Sequence, residues 1–455
     1  MTGPDPGRPG RQIVTLAVPM LVGALSSALA GAVDIGMMGH YAEPDLAAVA
    51  AGAALFDIFG GVVLASVTGH QILAARFAGR DDMGGIRRSL RSSAVFCGAI
   101  AAALTAACLA AGGPLAALLV GGDRRLTPIA AQYLAARAPT LLLLVGFALL
   151  AAGFNAYRRP RYPMVAGLVV AGTNVTLDWL LIYGPGPAPR LGAAGNGLAT
   201  TLSWAVGVAF LLMAVRRSGL MSMLRGPAEA GPADFVTSVP RLSWPAIVST
   251  GLDYLGVAVF FAVIGGLGAV ELGGGRIAFE VMILIFGVAS TFAAAGRILI
   301  GRALGAGRTH DVRRFWRAGQ LTLVLPAAAL GLGMAVFPAA VARVFTAIPS
   351  VVEAAGPALL LVALSLPALA WALGNVSLLR ALGHTDRDMY ANLVAALGVQ
   401  LPLAWVLAGP AGLGLTGAFL GVAGYWLARA VSTEILARRA APRPIPVPAQ
   451  EGVSA

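Results

Sequence analysis

The chain contains no lysine, only two cysteines and few charged residues of either sign. All 32 basic side chains are arginine, and 11% of the residues are charged, whereas a soluble domain has about 25%. Without lysine there is no phosphate-binding GxxxxGKS/T loop, which excludes an ATPase of that class. Cys97 and Cys108 match no redox or metal spacing, and there is no HExxH. We therefore expect buried thiols, no cofactor and no catalytic centre.

Long runs of apolar residues dominate the sequence. Hydrophobic residues make up 58% of the chain, and the mean hydropathy is +0.82. The runs are continuous rather than alternating, which predicts an all-α membrane protein in a lipid bilayer instead of a β-barrel. We count twelve transmembrane helices, at approximately 13–39, 45–75, 88–113, 126–156, 162–184, 193–215, 241–266, 272–301, 315–342, 351–381, 389–408 and 412–437.

The arginines are distributed unevenly between the two sides of these spans. If the N-terminus lies in the cytoplasm, 24 arginines fall in cytoplasmic segments and four in outer loops. The remaining four, in or near spans, are Arg137, Arg276, Arg297 and Arg429. Cytoplasmic loops of membrane proteins are enriched in arginine. The net charge of +12 is thus explained by topology rather than by nucleic acid, and we expect a plasma-membrane protein with both termini cytoplasmic.

The two halves of the chain resemble each other. With an offset of 226 positions, Pro19 aligns with Pro245 and Arg76 with Arg302 without a gap. The sequence therefore predicts two six-helix bundles related by a parallel internal repeat, which is a transporter architecture. The predicted divisions are an N-terminal lobe at 1–215, a cytoplasmic linker at 216–240, a C-terminal lobe at 241–438 and a disordered cytoplasmic tail at 439–455.

Four oxygen-bearing side chains of the first half are predicted to lie at one depth in the membrane. Asp34, Asp178 and Thr200 are each five to seven residues from the outer end of their spans, and Asn174 is one turn from Asp178. Two carboxylates at one depth would share a proton or a cation, because both cannot ionise unaided at low dielectric. The alternative is an interhelical hydrogen-bond cluster that only holds the bundle together.

Three further acids lie within spans and are secondary candidates for coupling. Asp57 and Asp253 are each about twelve residues into their spans, near the membrane centre. Glu280 follows Arg276 by one turn, so an i,i+4 ion pair is the alternative interpretation there.

Several segments resemble the multidrug and toxic-compound extrusion (MATE) family. They are LAVPM and VDIGMMG in the first span, RFAGRDD and RALGAGR after the second span of each half, NVTLDWLLIYG in the fifth and GAAGNGLATTLSW in the sixth. The resemblance covers about 13–438. It implies two lobes around a central cavity and drug export driven by inward flow of H⁺ or Na⁺.

The resemblance also implies roles for individual residues. Asp34 is similar to the family's first-helix aspartate, Asn174 and Asp178 to its fifth-helix polar pair, and Thr200 to its sixth-helix threonine, which together line an N-lobe cation site. An acid at position 178 is similar to the DinF-like branch, whereas Asp253 resembles the second-lobe acid of the NorM-like branch. The sequence departs from the family after the tenth span, where His384 replaces an acid.

These observations favour a secondary active antiporter that exports cationic or amphiphilic organic compounds in exchange for H⁺ or Na⁺. We expect a monomer, a cavity of negative potential, and no metal ion other than Na⁺ at the coupling site. The second hypothesis is a flippase of lipid-linked or polyanionic substrates, for which Arg137, Arg276 and Arg297 are the available cations. The third is an intramembrane prenyl transferase, but Asp81-Asp82 is the only adjacent acidic pair.

Overall fold

The computed structural model describes residues 8–186, 189–226 and 234–441, without the side chains of 234–237. Across these ranges the regular secondary structure is entirely helical. Helices are expected, because a backbone in hydrocarbon must satisfy its own hydrogen bonds. The predicted tail lies outside the described residues from 442 onwards, as does the 227–233 part of the predicted linker, so these two divisions stay predictions.

The first half of the chain forms nine α-helices followed by a short 3₁₀ turn. Their bounds are α1 (Pro9–Gly39), α2 (Glu43–Ser66), α3 (Thr68–Gly79), α4 (Met83–Ala110), α5 (Gly112–Leu119), α6 (Leu126–Arg137), α7 (Thr140–Ala156), α8 (Arg161–Tyr183), α9 (Gly192–Arg217) and the turn Met221–Met223.

The second half forms eight α-helices, the first of which begins inside the predicted linker. Their bounds are α10 (Asp234–Gly265), α11 (Ala269–Gly305), α12 (Thr309–Val336), α13 (Pro338–Phe345), α14 (Pro349–Ala381), α15 (Thr385–Leu393), α16 (Leu401–Ala408) and α17 (Gly414–Ala440). A π-helical segment, Val394–Gln400, joins α15 to α16.

These helices make twelve crossings, because α2–α3, α6–α7 and α15–α16 each form one span. Eleven of the spans in the described residues are long and apolar enough to cross a membrane by composition alone. The twelfth is α17, which is 27 residues long and contains Arg429 and Glu434. The predicted ninth span is too long at its end, since α12 stops at Val336 and a separate helix, α13, starts with Pro338. Proline cannot donate a backbone hydrogen bond, so it begins a helix more readily than it continues one.

Each half is a six-span bundle with its own apolar core. Tyr133 and Phe154 are fully buried in the N-terminal lobe, and Phe260 and Phe419 in the C-terminal lobe. Within the N-terminal lobe, α1 and α8 approach closely where Gly23 faces Gly167. A larger residue at either position would push the two helices apart, so this contact fixes their relative height.

The two lobes meet near the end of the molecule where α1 begins and α17 ends, which we call the Arg-rich face. There α3 crosses α11 so tightly that a Cβ at Gly79 would overlap the Arg302 carbonyl oxygen, and a Cβ at Gly305 would overlap that of Arg76. Gly79 and Gly305 are 226 positions apart, like Arg76 and Arg302. The crossing therefore brings together equivalent residues of the two repeats.

Arginines from each lobe reach over this crossing to the other lobe. Arg76 donates from Nε and Nη2 to the carbonyl oxygen of Ala381, the last residue of α14, at 3.1 and 2.7 Å. Arg302 donates in the same way to the carbonyl oxygen of Ala156, the last residue of α7. A cation is favourable at a helix C-terminus. The lobes are thus joined at the Arg-rich face by paired cation-to-helix contacts.

We expect Gly305→Ala to weaken this closed arrangement, because the new methyl group meets the Arg76 backbone, which cannot rotate away. Alanine stabilises a helix relative to glycine by about 0.5–1 kcal/mol. A loss of closure would therefore come from the clash at the crossing and not from a weakened α11. A cysteine introduced at Ala294, in the α11 wall between the lobes, should react faster with a membrane-impermeant maleimide added at the Arg-rich face. Gly296→Ala is the matched control, since nothing lies within 4 Å of its added Cβ. Equal labelling rates in the two variants would contradict the role of the crossing.

Candidate functional site

A polar cluster lies inside the N-terminal lobe where α1, α8 and α9 pack together. Asp34 from α1 and Asp178 from α8 are buried, and their carboxyl groups are within hydrogen-bonding reach of each other. Thr200 from α9 is buried as well and donates to the carbonyl oxygen of Asn196 at 3.0 Å. Asn174, one turn from Asp178, is also buried. All four residues predicted from membrane depth therefore lie in this region of the lobe.

Asn196 was not among the predicted residues, although it belongs to the same cluster. Its Nδ2 donates to Asp178 Oδ1 at 3.0 Å, and its side chain is fully buried. A signal was available in the sequence, because Asn196 precedes Thr200 by four residues and so shares its helix face.

Several oxygen and nitrogen atoms of the cluster have no protein partner. Among the described residues, Asp34 Oδ1, Asp178 Oδ2, Asn196 Oδ1 and Asn174 Nδ2 are buried without a hydrogen bond. Buried polar atoms without partners are costly and uncommon in folded proteins. Two carboxyl groups in contact also repel unless a proton or a cation lies between them. The arrangement is therefore chemically suited to bind and release one positive charge.

An arginine stands close to this cluster on the adjacent helix α6. Arg137 donates to the hydroxyl group of Tyr133, and its guanidinium lies 5.2 Å from the centre of the Phe56 ring. Its positive charge acts on both Asp34 and Asp57. Asp57 itself is exposed on the wall of the space between the lobes and does not join the cluster.

A cavity of about 930 Å³ separates the lobes above the α3–α11 crossing. Its walls are mostly apolar and aromatic, with Phe56, Phe147 and Trp204 on one side and Tyr254 and Phe279 on the other. The charged lining residues are Asp57, Arg137, Arg276, Glu280 and Arg297. With three arginines against two carboxylates, the lining differs from the negative cavity that we expected.

Glu280 does not extend a carboxylate freely into this cavity. Its side chain lies 3.8 Å from the Arg276 guanidinium on the same helix, in the i,i+4 arrangement. The ion pair neutralises both residues locally, so the geometry matches the alternative interpretation of Glu280.

The matching positions of the C-terminal lobe carry no ionisable side chain. The offset of 226 places Phe260 opposite Asp34, Ala404 opposite Asp178 and the neutral Gln400 opposite Asn174. Further along the chain the offset is 222, which aligns Gly192 with Gly414 and places Val422 opposite Thr200. The three apolar C-lobe residues are buried, and Phe260 contacts the Phe419 ring edge-on at 5.4 Å between centroids. The repeat has therefore kept the fold in both lobes and the ionisable cluster in one.

The second-lobe acid Asp253 belongs to a different network. Asn392 donates to its Oδ1 at 2.7 Å and also to the Ser249 hydroxyl group at 2.7 Å. Arg429 from α17 donates in turn to Asn392 Oδ1 and, at 3.1 Å, to Asp388 Oδ1.

Arg429 thus acts as a buried cation in this network: it pairs with Asp388 directly and is linked to Asp253 through Asn392. Asp388, nearly fully buried, also receives Arg380 Nε at 2.7 Å, so it is ion-paired on two sides. Sequence reasoning missed this network because its members come from α10, α14, α15 and α17 and no local pattern connects them.

His384, which replaces an acid in the family resemblance, lies between α14 and α15 at the Arg-rich face. Burial, and then the nearby positive charge of Arg387, lower the pKa of His384. The side chain is therefore neutral at pH 7, and it does not substitute for a carboxylate.

Comparison with protein families agrees with this architecture. The family model MatE matches the chain twice, at residues 19–180 and 245–406. The chain belongs to the MatE family. The second match begins at 245 instead of 19, which is the 226-residue offset of the internal repeat. A MatE protein is a transporter, so the chain is a multi-pass membrane transporter and not an enzyme, as the absence of catalytic motifs predicted.

Curated relatives match over almost the full length. A protein of Geobacillus kaustophilus named "Probable multidrug resistance protein NorM" is 28% identical, with 94% of this chain and 92% of the relative covered. The "Multidrug resistance protein MdtK" of Cronobacter sakazakii is 26% identical, with 91% of each covered.

Solved structures show the same fold. One described as an "Outward-facing conformation of a multidrug resistance MATE family transporter of the MOP superfamily" has a TM-score of 0.85 at 18% identity, covering 95% of this chain and 96% of the other. Another, described as "Crystal structure of MATE in the bent conformation", has a TM-score of 0.87 at 19% identity, covering 95% of each. The prediction of an all-α fold with two repeated six-helix bundles is confirmed.

We expect Arg429→Met to destabilise the MatE fold strongly, because it leaves Asp388, Asn392 and Tyr425 without their shared donor. Breaking a buried ion pair costs about 3–5 kcal/mol. Thermal unfolding in detergent should show a clear decrease in the melting temperature. Arg438→Met, on the same helix, is the control: the Arg438 side chain is largely exposed, and ion pairs of exposed side chains contribute little. A decrease of equal size in both variants would contradict the role of Arg429 as a buried cation.

Proposed function

We propose that this MatE transporter is a secondary antiporter that exports drug-like organic compounds across the plasma membrane in exchange for H⁺ or Na⁺. The observation that carries the proposal is the buried contact between Asp34 and Asp178, next to Asn196 and Thr200. A proton or cation arriving from outside neutralises this pair. The names of the multidrug-resistance relatives support drug-like compounds as the exported substrates.

Helix α1 provides a physical link between the cation cluster and lobe movement. It holds Asp34 near one end. Near its other end Ile13, Leu16 and Ala17 pack against Ile298 and Leu299 of the opposite lobe. A change in the charge of Asp34 alters how α1 packs on α8, and the same continuous helix carries that change to the contact between lobes. Coupling requires such a difference in free energy between the two conformations.

The cavity dimensions support a drug-like substrate. Ligand pockets of about 300–1,000 Å³ with apolar walls and a few polar groups are typical for small organic molecules. The cavity of about 930 Å³ lies within that range, and its aromatic side chains provide flat surfaces for ring systems.

A polyanionic or lipid-linked substrate is less well supported. Arg137 is engaged by Tyr133 and lies near Asp34 and Asp57, and Arg276 is paired with Glu280. One of the three cavity cations is thus ion-paired, and two acids act on a second, which leaves too little positive charge for a polyanion.

The orientation that we propose places the Arg-rich face and both termini in the cytoplasm. The structure then has its lobes closed on the cytoplasmic side, and the cavity is open to the outside. A cysteine at exposed Arg314, near the start of α12, should react with an impermeant maleimide only after cells are permeabilised. A cysteine at Arg124, on the opposite face, should react in intact cells. Both native cysteines are buried, so background labelling is low. The reversed labelling pattern would overturn the orientation.

We expect Asp34→Asn to abolish gradient-driven transport, because an asparagine cannot take up and release the coupling charge. The measurement is efflux of a fluorescent substrate from proteoliposomes under an imposed pH gradient and, separately, under a Na⁺ gradient. Wild type should respond to one gradient, which identifies the ion, and the variant to neither.

Asp253→Asn is the matched variant in the other lobe. Since Asp253 belongs to the Arg429 network and not to the carboxyl pair, its gradient response should persist. Loss of the response in Asp253→Asn with retention in Asp34→Asn would transfer the coupling site to the C-terminal lobe and refute the proposal.

A further inference from the structure

The floor of the cavity holds a positive charge at the point where the two lobes meet. Arg297 from α11 donates from Nη2 to Gln71 Oε1 of α3 at 2.6 Å. The two residues are 226 positions apart, so they are equivalent members of the repeat. Equivalent residues touch each other only near the axis that relates the two lobes. Arg297 therefore lies centrally at the bottom of the cavity, between the lobes.

Arg297 has no counter-ion beside it. In the described ranges its guanidinium makes no ion pair within 4.0 Å, and its hydrogen bond goes to a neutral amide. The acid whose charge acts on it, Asp388, is already paired with Arg380 and Arg429. By contrast, Arg276 is paired with Glu280, and the charges of Asp34 and Asp57 act on Arg137.

A partly buried guanidinium without a counter-ion is energetically unfavourable, and an anion that reaches it is bound correspondingly well. Its planar fork of N–H donors matches a carboxylate, which it can hold by two parallel hydrogen bonds. Only one donor group is engaged by Gln71, so others remain available to a ligand. The aromatic walls above, including Phe147 and Trp204, would meet the ring system of the same ligand.

We propose that the cavity selects amphiphilic compounds that carry one carboxylate, zwitterions included, and that Arg297 receives this carboxylate as the specificity-determining residue. This inference rests on the proposed export function and narrows its substrate class. It restricts the expected cationic or amphiphilic compounds to amphiphiles that carry a carboxylate. A single uncompensated cation accounts for one carboxylate and excludes a polyanion.

The test uses a matched pair of dyes, rhodamine B and rhodamine B ethyl ester, which differ by a free or esterified carboxyl group. Binding to the purified full chain in nanodiscs is followed by fluorescence anisotropy, with empty nanodiscs as the blank. Arg297→Gln should weaken binding of the free acid by about tenfold or more, because hydrogen bonds to charged groups are worth about 1.5–3 kcal/mol. Binding of the ester should change by less than about twofold, since it has no carboxylate for Arg297 to bind.

A second variant keeps the arginine in place. Gln71→Glu puts a carboxylate of the protein beside Arg297, which should block the free acid to a similar extent and leave the ester bound. If Arg297→Gln fails to fold, Gln71→Glu still tests whether the free acid binds at Arg297. Arg276→Gln is the matched control, because that cavity arginine is paired with Glu280, and its acid-to-ester ratio of dissociation constants should stay near that of wild type.

Equal weakening of both dyes in Arg297→Gln and Gln71→Glu, or no change in either, would overturn the inference. The binding assay is independent of any gradient, so its result is distinguishable from that of the transport assay. Gradient-driven efflux that continues while the acid-to-ester ratio is insensitive to Arg297 would refute the substrate class alone. Failure of wild type to bind the free acid would contradict the inference, whereas the proposed export function is tested by the gradient assay.

Discussion

Two carboxyl groups held in contact away from water constrain much of this structure. Burying even one charged carboxylate is costly, and burying two together requires a proton or cation between them. The protein keeps Asp34 and Asp178 in place by packing α1 against α8 at Gly23 and Gly167 and by donating from Asn196. The cluster is consequently sensitive to any movement of α1, which also contacts the opposite lobe. Charge binding and lobe contact therefore depend on the same helix.

The two lobes show how one fold can carry two different interiors. At positions equivalent to the N-lobe acids, the C-terminal lobe has Phe260 and Ala404 in a tightly packed apolar core. Its buried acid Asp388 accepts with both carboxylate oxygens from arginines, Arg380 and Arg429. Asp34 and Asp178 of the N-terminal lobe instead each have one buried oxygen atom without a hydrogen bond. This difference supports the proposal that the coupling charge binds in the N-terminal lobe.

The sequence was sufficient for the fold and for the depth of the N-lobe cluster. A helix rises by a constant amount per residue, so distance from the end of a span fixes depth, and Asp34, Asp178 and Thr200 were placed by that count alone. Contacts between helices depend instead on rotation and packing, which local sequence does not encode. The Arg429 network and the Gln71–Arg297 contact are of this kind. Asn196 differs from these, since its spacing of four residues from Thr200 places both on one helix face.

The contact between Gln71 and Arg297 has a consequence for how such a molecule can arise. In a dimer of two identical six-helix proteins, a residue near the symmetry axis meets its own copy. An arginine there would face an arginine and repel it, and a glutamine would face a glutamine without charge. Only when both halves belong to one polypeptide can the two positions mutate separately. The lone charge at the centre of the molecule is therefore a property that gene duplication and fusion made available, and that no symmetric ancestor could have had.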